Sequence, residues 1–290
     1  MRAALYLVAA GLLIAGCQPP SSSDTAVPEQ GAPIATEPNG APLANDPSLD
    51  DEPESNPLIG LLEQDIPYGE DADGNLVGFL AVPEDAAEPL PGVIVLHEWW
   101  GLTPAIREVS RRIAREGYIV LAVDLYGGRT AEAVPEAQVL LRELVEAPEQ
   151  VRSNIRQAYT YLERYALAPR IGSIGWDLGA RWTLQAALMM PDQLDAAVMF
   201  YGSVETDEAL LETLDMPLLG LFGEQDASVP INGVQAFRDM LARLGKPAEV
   251  RIYSGADHGF FFPGDPNYSP IAADDAWLRS LTLLQSGLKD

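Results

Sequence analysis

An apolar run at 171–174 ends in Gly175-Trp176-Asp177-Leu178-Gly179 and passes directly into a helical pattern. No other junction constrains the fold of this chain as tightly. Glycines at both ends let a strand and the following helix cross at close range through a sharp turn, lifting the central side chain above the sheet edge at the helix N-terminus. The segment therefore reads as a nucleophile elbow with a carboxylate, Asp177, at its tip. An ordinary strand-to-helix turn satisfies the same short pattern, so its meaning depends on what the rest of the chain places around it.

The rest of the chain alternates. Residues 77–82 and 92–97 read as strands, after which Thr103 caps a helix with Pro104 at its first position, Ile106, Val109 and Ile113 on one face and Gly117 at its end. Strands at 118–123, 196–201, 217–222 and 249–253 alternate with helices at 135–146, 148–166, 205–214, 231–244 and 270–287. This layout predicts an α/β fold, a doubly wound and mostly parallel sheet with helices on both faces. Between Leu178 and Asp226 there is no room for a large cap domain.

The amino-terminal part is of another kind. Arg2, an apolar stretch over 3–15 and Leu13-Ile14-Ala15-Gly16-Cys17 resemble a lipoprotein signal peptide and its lipobox, with Cys17 as the lipidated residue. Residues 1–16 are then the signal peptide, 17–60 an acidic, Pro- and Ser-rich disordered tether, and 61–290 the folded domain. Gln18 after the cysteine points to the bacterial cell envelope, on the periplasmic side of the outer membrane. Cys17 is the only cysteine, which excludes an internal disulfide, a cysteine metal cluster and a thiol nucleophile in the domain. With 18 Lys and Arg against 43 Asp and Glu, the net charge of −25 excludes a nucleic-acid partner. It also leaves lipid on Cys17, rather than a basic face, as the means of membrane attachment. No protein partner can be read from the sequence.

Functional groups in doubly wound folds gather at the carboxyl ends of strands. Those ends carry His97-Glu98, Asp177, Asp226 and His258, and His97 and His258 are the only two histidines. Asp177, Asp226 and His258 follow the order nucleophile, acid, histidine of an α/β-hydrolase. Taken singly, Asp226 could cap a turn and His258 could be a loop histidine; together, on the right strand ends, they form a candidate triad.

At these positions the chain from about Ile66 onward resembles the dienelactone hydrolase family. The likeness rests on Val93-Ile94-Val95-Leu96-His97-Glu98-Trp99-Trp100-Gly101-Leu102, on Asp124-Leu125-Tyr126-Gly127, and on Asp257-His258-Gly259-Phe260. It implies an α/β-hydrolase fold and a small-molecule substrate, and no cofactor. It further implies that Asp226 orients His258, that Glu98 contacts the nucleophile, and that the backbone N–H groups of Trp99 and Leu178 form an oxyanion hole. Trp100, Tyr126, Tyr201 and Phe260 are the expected pocket residues, and His97, facing the other way on its strand, has at most a supporting role. No metal site is expected, because Gly101 stands where a second histidine of H-E-x-x-H would be needed.

Two departures from the resemblance matter. The family elbow is normally G-x-C-x-G-G, whereas Asp177 replaces its cysteine and Ala180 its last glycine. Where the family carries a substrate-binding arginine after the histidine, this chain has Phe260-Phe261-Phe262, which suggests a neutral, apolar ligand. Asp177 needs no base to become a nucleophile. Attack on an ester makes a mixed anhydride that reverses readily, while attack on saturated carbon makes an ester that activated water can hydrolyse. Gly-Trp-Asp-Leu-Gly-Ala is similar to the epoxide hydrolase elbow, and haloalkane dehalogenases also place Asp there. If Glu98 lies beside Asp177, one of the two carboxyl groups should hold a proton, unless Arg181 neutralises the pair. Three readings remain open: hydrolysis of a small neutral ester or lactone, alkyl-enzyme chemistry on a halide or epoxide, and a tethered binding domain without catalysis.

Overall fold

The computed structural model describes residues 59–72, 74–84 and 88–290. The signal peptide, Cys17 and nearly all of the tether lie outside the described residues. Among the described residues, eight strands form one sheet: β1 (Leu61–Asp71), β2 (Gly74–Pro83), β3 (Gly92–Leu96), β4 (Ile119–Val123), β5 (Ile171–Trp176), β6 (Ala196–Phe200), β7 (Leu218–Gly223) and β8 (Ala248–Tyr253). Their order is β1-β2-β4-β3-β5-β6-β7-β8, antiparallel through the first two strands and parallel from β4 onward. The helices are α1 (Pro104–Arg115), α2 (Val134–Glu146), α3 (Pro148–Arg164), α4 (Leu178–Met189), α5 (Glu208–Leu211), α6 (Ile231–Arg243) and α7 (Pro270–Leu288). Among the described residues, no helix is long and apolar enough to cross a membrane.

The central strands are buried on both faces, which is why they read as continuous apolar runs rather than alternating ones. Along β3, Val93 and Val95 point to one core and Ile94 and Leu96 to the other. The first core is closed by Ile106, Val109 and Ile113 of α1 and Ala276, Trp277 and Leu284 of α7. The second is closed by Ile155, Ala158 and Leu162 of α3, residues of α4, and Val234, Phe237 and Leu241 of α6. Thr103 caps α1 as expected, its Oγ1 accepting from the Ile106 N–H at 3.4 Å.

Two expectations need correction. The sequence pattern gave no strand before residue 77, yet β1 is the longest in the sheet. It lies at the sheet edge, only Ile66 and Tyr68 of it are buried, and its register shifts between Pro67 and Gly69. One exposed face, a proline and a bulge remove the apolar run by which the other strands announce themselves. The helix expected over 205–214 is only the single turn α5. Asp207 begins it by accepting from the N–H groups of Ala209 and Leu210, and the chain soon passes Pro217 into β7.

The elbow joins β5 to α4, and it is the tightest crossing described in the fold. A Cβ on Gly179 would land on the Leu96 carbonyl, and one on Gly175 would land on the backbone of Gly179. Helix α4 therefore packs against the ends of β3 and β5 at backbone distance. The fully buried Ala180 fits for a related reason: it faces Gly202, where a Cβ would lie 2.5 Å from the Ala180 Cβ. We expect Gly179→Ala to displace α4 and cost at least about 1–3 kcal/mol, the range for overpacking a tight core. Urea denaturation would measure this; an unchanged midpoint would contradict a close crossing.

Candidate active site

Asp177 sits between β5 and α4 with φ 49° and ψ −111°, a backbone conformation that costs a non-glycine residue about 1–3 kcal/mol. The turn is held by surrounding ladders. The Asp177 N–H donates to the Phe200 carbonyl at 3.0 Å, and the Arg181 N–H to the Asp177 carbonyl at 3.1 Å. Its side chain thereby projects over the sheet edge at the first turn of α4.

Asp226 and His258 meet it there. The His258 Nε2 lies 3.3 Å from Asp177 Oδ1 in an ion pair, and its Nδ1–H donates to Asp226 Oδ2 at 2.8 Å. The side chains of His258 and Asp177 are 26% and 27% exposed, whereas that of Asp226 is fully covered, so solvent reaches only the outer part of the chain of three. The second oxygen of Asp226 accepts from the N–H groups of Ser228 and Val229 at 2.7 and 2.8 Å. Asp226 thus caps a turn and holds the histidine at once. The His258 carbonyl accepts from Asn267 Nδ2 at 2.8 Å, which fixes the loop behind the ring.

Glu98 follows β3, half-buried, and accepts from the Tyr201 hydroxyl at 3.2 Å. Burial pushes its carboxyl up to about 8, and the negative charges of Asp177 and Asp265 add to this against the opposing effects of Tyr201 and His258. It therefore holds a proton at neutral pH. His258 moves the other way from what its burial would give: desolvation lowers it, but the hydrogen bonds and charges of Asp177 and Asp226 prevail and raise it to about 10. At neutral pH the centre is an imidazolium between two carboxylates, with a neutral carboxyl group nearby.

His97 is buried and outside this constellation. Its Nδ1–H donates to the Glu98 carbonyl at 2.6 Å, and its Nε2 accepts from the Leu125 N–H at 3.0 Å. Burial lowers its pKa, so it serves as a neutral strut between two loops, which agrees with the supporting role expected for it. The Tyr126 ring lies 4.9 Å from His97, and its hydroxyl donates to the Trp99 carbonyl at 3.2 Å. Trp99 and Trp100 pack on each other at 4.8 Å, half-buried.

The expected pocket residues divide. Tyr201 reaches the site through Glu98, and its ring lies 5.0 Å from that of His258. Phe260 does not line a pocket: it is fully buried against Tyr201 and Tyr253, while Phe261 packs on Trp176 and Phe200. An aromatic run beside a histidine was core packing, so it carries no information about an apolar ligand. Tyr126 borders a separate cavity of about 720 Å³ between the β1–β2 hairpin, α2 and α3; Asp177, Glu98 and His258 do not line it. Arg181, the possible neutraliser of the carboxyl pair, is exposed on α4. Asp265 was missed in the sequence, because Pro263-Gly264-Asp265-Pro266-Asn267 reads as a turn. Only the folded loop brings its charge to bear on Glu98 and Tyr201.

With the fold and this geometry in hand, comparison with known proteins is decisive. Residues 76–288 match the model of the dienelactone hydrolase family. The chain belongs to the dienelactone hydrolase family. It is 32% identical over 220 residues to a putative carboxymethylenebutenolidase of Escherichia coli, covering 71% of this chain and 81% of that protein. It is 30% identical over 207 residues to protein usf of Aquifex pyrophilus, covering 69% and 88%. A crystal structure of a putative dienelactone hydrolase from Klebsiella pneumoniae superposes with a TM-score of 0.70 at 30% identity, covering 77% of this chain and 98% of that one. The α/β-hydrolase architecture is thereby shown. Membership in this family makes the protein a dienelactone hydrolase-like hydrolase with a small-molecule substrate.

Stability should report the two shifted groups. A histidine raised from 6.5 to about 10 contributes stability that is complete below pH 6.5 and lost as pH rises through 10. Glu98, raised from 4.5 to about 8, keeps a proton that the unfolded chain releases, so stability falls across that interval too. The melting temperature should therefore decline steadily from about pH 5 to pH 10. Asp177→Asn removes the charge that raises both groups and should flatten that decline. Circular dichroism melts would read the slope, and NMR of the His258 ring would show directly whether it stays protonated at pH 8.

Proposed function

We propose that this protein is an envelope-tethered hydrolase of a small, uncharged ester or lactone, in which Asp177 takes the nucleophile's place and His258 and Asp226 complete the site. The observation that carries the reading is the unbroken chain Asp177–His258–Asp226, at 3.3 and 2.8 Å, mounted on a strained elbow. Family likeness supplies the substrate class. The carboxyl groups of Glu98, Asp177, Asp226 and Asp265 around one imidazolium speak against an anionic substrate.

On this reading the Asp177 carboxylate adds to the substrate carbonyl, and the backbone N–H groups of Trp99 and Leu178 steady the oxyanion. The tetrahedral intermediate expels an alkoxide, which takes the Nε2 proton of His258, leaving an anhydride on Asp177. Loss of the Asp177 charge removes part of what kept His258 protonated, so the neutral ring can draw a proton from water and direct it onto the anhydride. The hydroxide left from that water adds to the anhydride, the substrate's acid departs, and Asp177 is again a carboxylate beside a protonated His258. A weakly basic leaving group adds back to the anhydride slowly, so esters of acidic alcohols suit the site best.

Hydrolysis of 4-nitrophenyl acetate should fall about 100-fold or more in both Asp177→Asn and His258→Ala. Activity that survives the first substitution but not the second would replace covalent attack by direct activation of water. Anchoring through lipidated Cys17 has its own test: Cys17→Ala should move the protein from the membrane fraction to the soluble fraction of bacterial cells, and an unchanged distribution would rule out the lipid anchor.

A further inference from the structure

We propose that the site also hydrolyses small uncharged epoxides, with Asp177 as the alkylated carboxylate and the Glu98–Tyr201 pair as the acid that receives the opening ring oxygen. The inference rests on Asp177 acting as a nucleophile, as in the reading above, but not on acyl chemistry. Three features of the geometry carry it: an elbow carboxylate, the His258 ring ion-paired with it at 3.3 Å, and a half-buried carboxyl group bound to the Tyr201 hydroxyl at 3.2 Å.

Acyl transfer asks a carboxylate to make an anhydride, a better leaving system than the ester it came from. Attack on a strained saturated carbon has no such penalty, because the product is an ordinary alkyl ester. The remaining question is where the displaced group goes. A halide would be released as an anion among Glu98, Asp177, Asp226 and Asp265, with His258 already engaged by two of them. An epoxide oxygen instead leaves as a neutral hydroxyl once it has taken a proton, and stays attached to the substrate. A proton donor beside an ionised nucleophile is the arrangement that ring opening needs.

The steps balance. One Asp177 oxygen forms a bond to an epoxide carbon, the ring C–O bond breaks, and the ring oxygen takes the Glu98 proton, giving a hydroxyalkyl ester and a Glu98 carboxylate. His258, no longer facing a charged Asp177, passes its Nε2 proton to Glu98. The neutral ring then takes a proton from water, whose oxygen adds to the Asp177 carbonyl carbon. The intermediate breaks its C–O bond to the substrate, and the departing alkoxide takes the proton of the carboxyl group it leaves. Asp177 ends ionised and His258 protonated, as both began; the net reaction is epoxide plus water to diol.

The groups that face Glu98 are Asp177, Tyr201, Asp265 and His258, and together they set the pH range of ring opening. Its rate should fall as pH rises through about 8, where Glu98 loses its proton. Glu98→Gln should slow it about 100-fold or more and flatten that profile. A merely structural role for Glu98 would leave the shape of the profile unchanged.

The test uses the folded chain with styrene oxide. The wild-type protein should release the diol, and in a single turnover in heavy-oxygen water the label should enter Asp177 and not the diol. His258→Gln, with His258→Ala as a second variant, should accumulate one substrate mass on the peptide containing Asp177. Diol formation with that adduct establishes the inference, whether or not esters are turned over. Absence of both, with Asp177-dependent hydrolysis of 4-nitrophenyl acetate intact, overturns the epoxide activity and leaves the acyl reading standing. Absence of both alongside inactivity towards the ester overturns the two together. Label in the diol, or adducts only on residues other than Asp177, also overturns it.

Discussion

The site depends on one close contact, the crossing of α4 over the ends of β3 and β5 at Gly179 and Gly175. Because no side chain intervenes, the start of α4 and the loop after β3 share one small space. That proximity puts Asp177 within electrostatic reach of Glu98, and it lets Tyr201, at the end of the neighbouring β6, donate to Glu98. The price of the arrangement is backbone strain, at Asp177 with φ 49° and at Tyr201 with φ 40°. The sheet ladders around both residues hold them there, as in other sites where a rigid scaffold over-determines an unfavourable conformation.

What the contact creates is an electrostatic imbalance that the protein resolves with protons. A single imidazolium stands between Asp177 and Asp226, and the nearby Glu98 stays neutral. The two protonation states are coupled through Asp177, whose charge raises both groups. Any event that neutralises Asp177 therefore shifts His258 towards its free base and Glu98 towards its ionised form. The surrounding shell is inert by comparison: His97 bridges loops as a neutral ring, and Asn267 fixes the backbone of His258 from behind.

Much of this was legible in the residues. The apolar runs at 92–97, 118–123 and 171–174 became β3, β4 and β5 because strands buried on both faces must be apolar throughout. Thr103-Pro104 marked the start of α1, and Asp177, Asp226 and His258 were placed on strand ends that the fold brings together. The failures have equally local causes. Edge strand β1 hides behind Pro67 and an exposed face. Phe260 and Phe261 looked like a ligand wall and are core, because composition cannot tell which side of a loop faces the sheet. Asp265 had no signal at all, since an aspartate in a Gly-Asp-Pro turn is expected for the turn's own sake.

The sequence alone determined the alternation of strands and helices from residue 77 onward, the elbow and the identity of the three residues in line, since these follow from periodicity, from glycine sterics and from the short list of histidines. Tertiary structure decided the rest: which carboxyl groups face one another, which proton stays on which group, and which aromatic rings are packing. The physical reason is that pKa and burial depend on distances between residues far apart in the chain. Glu98 and Tyr201 are 103 positions apart, yet they share the hydrogen bond that defines the acid side of the site.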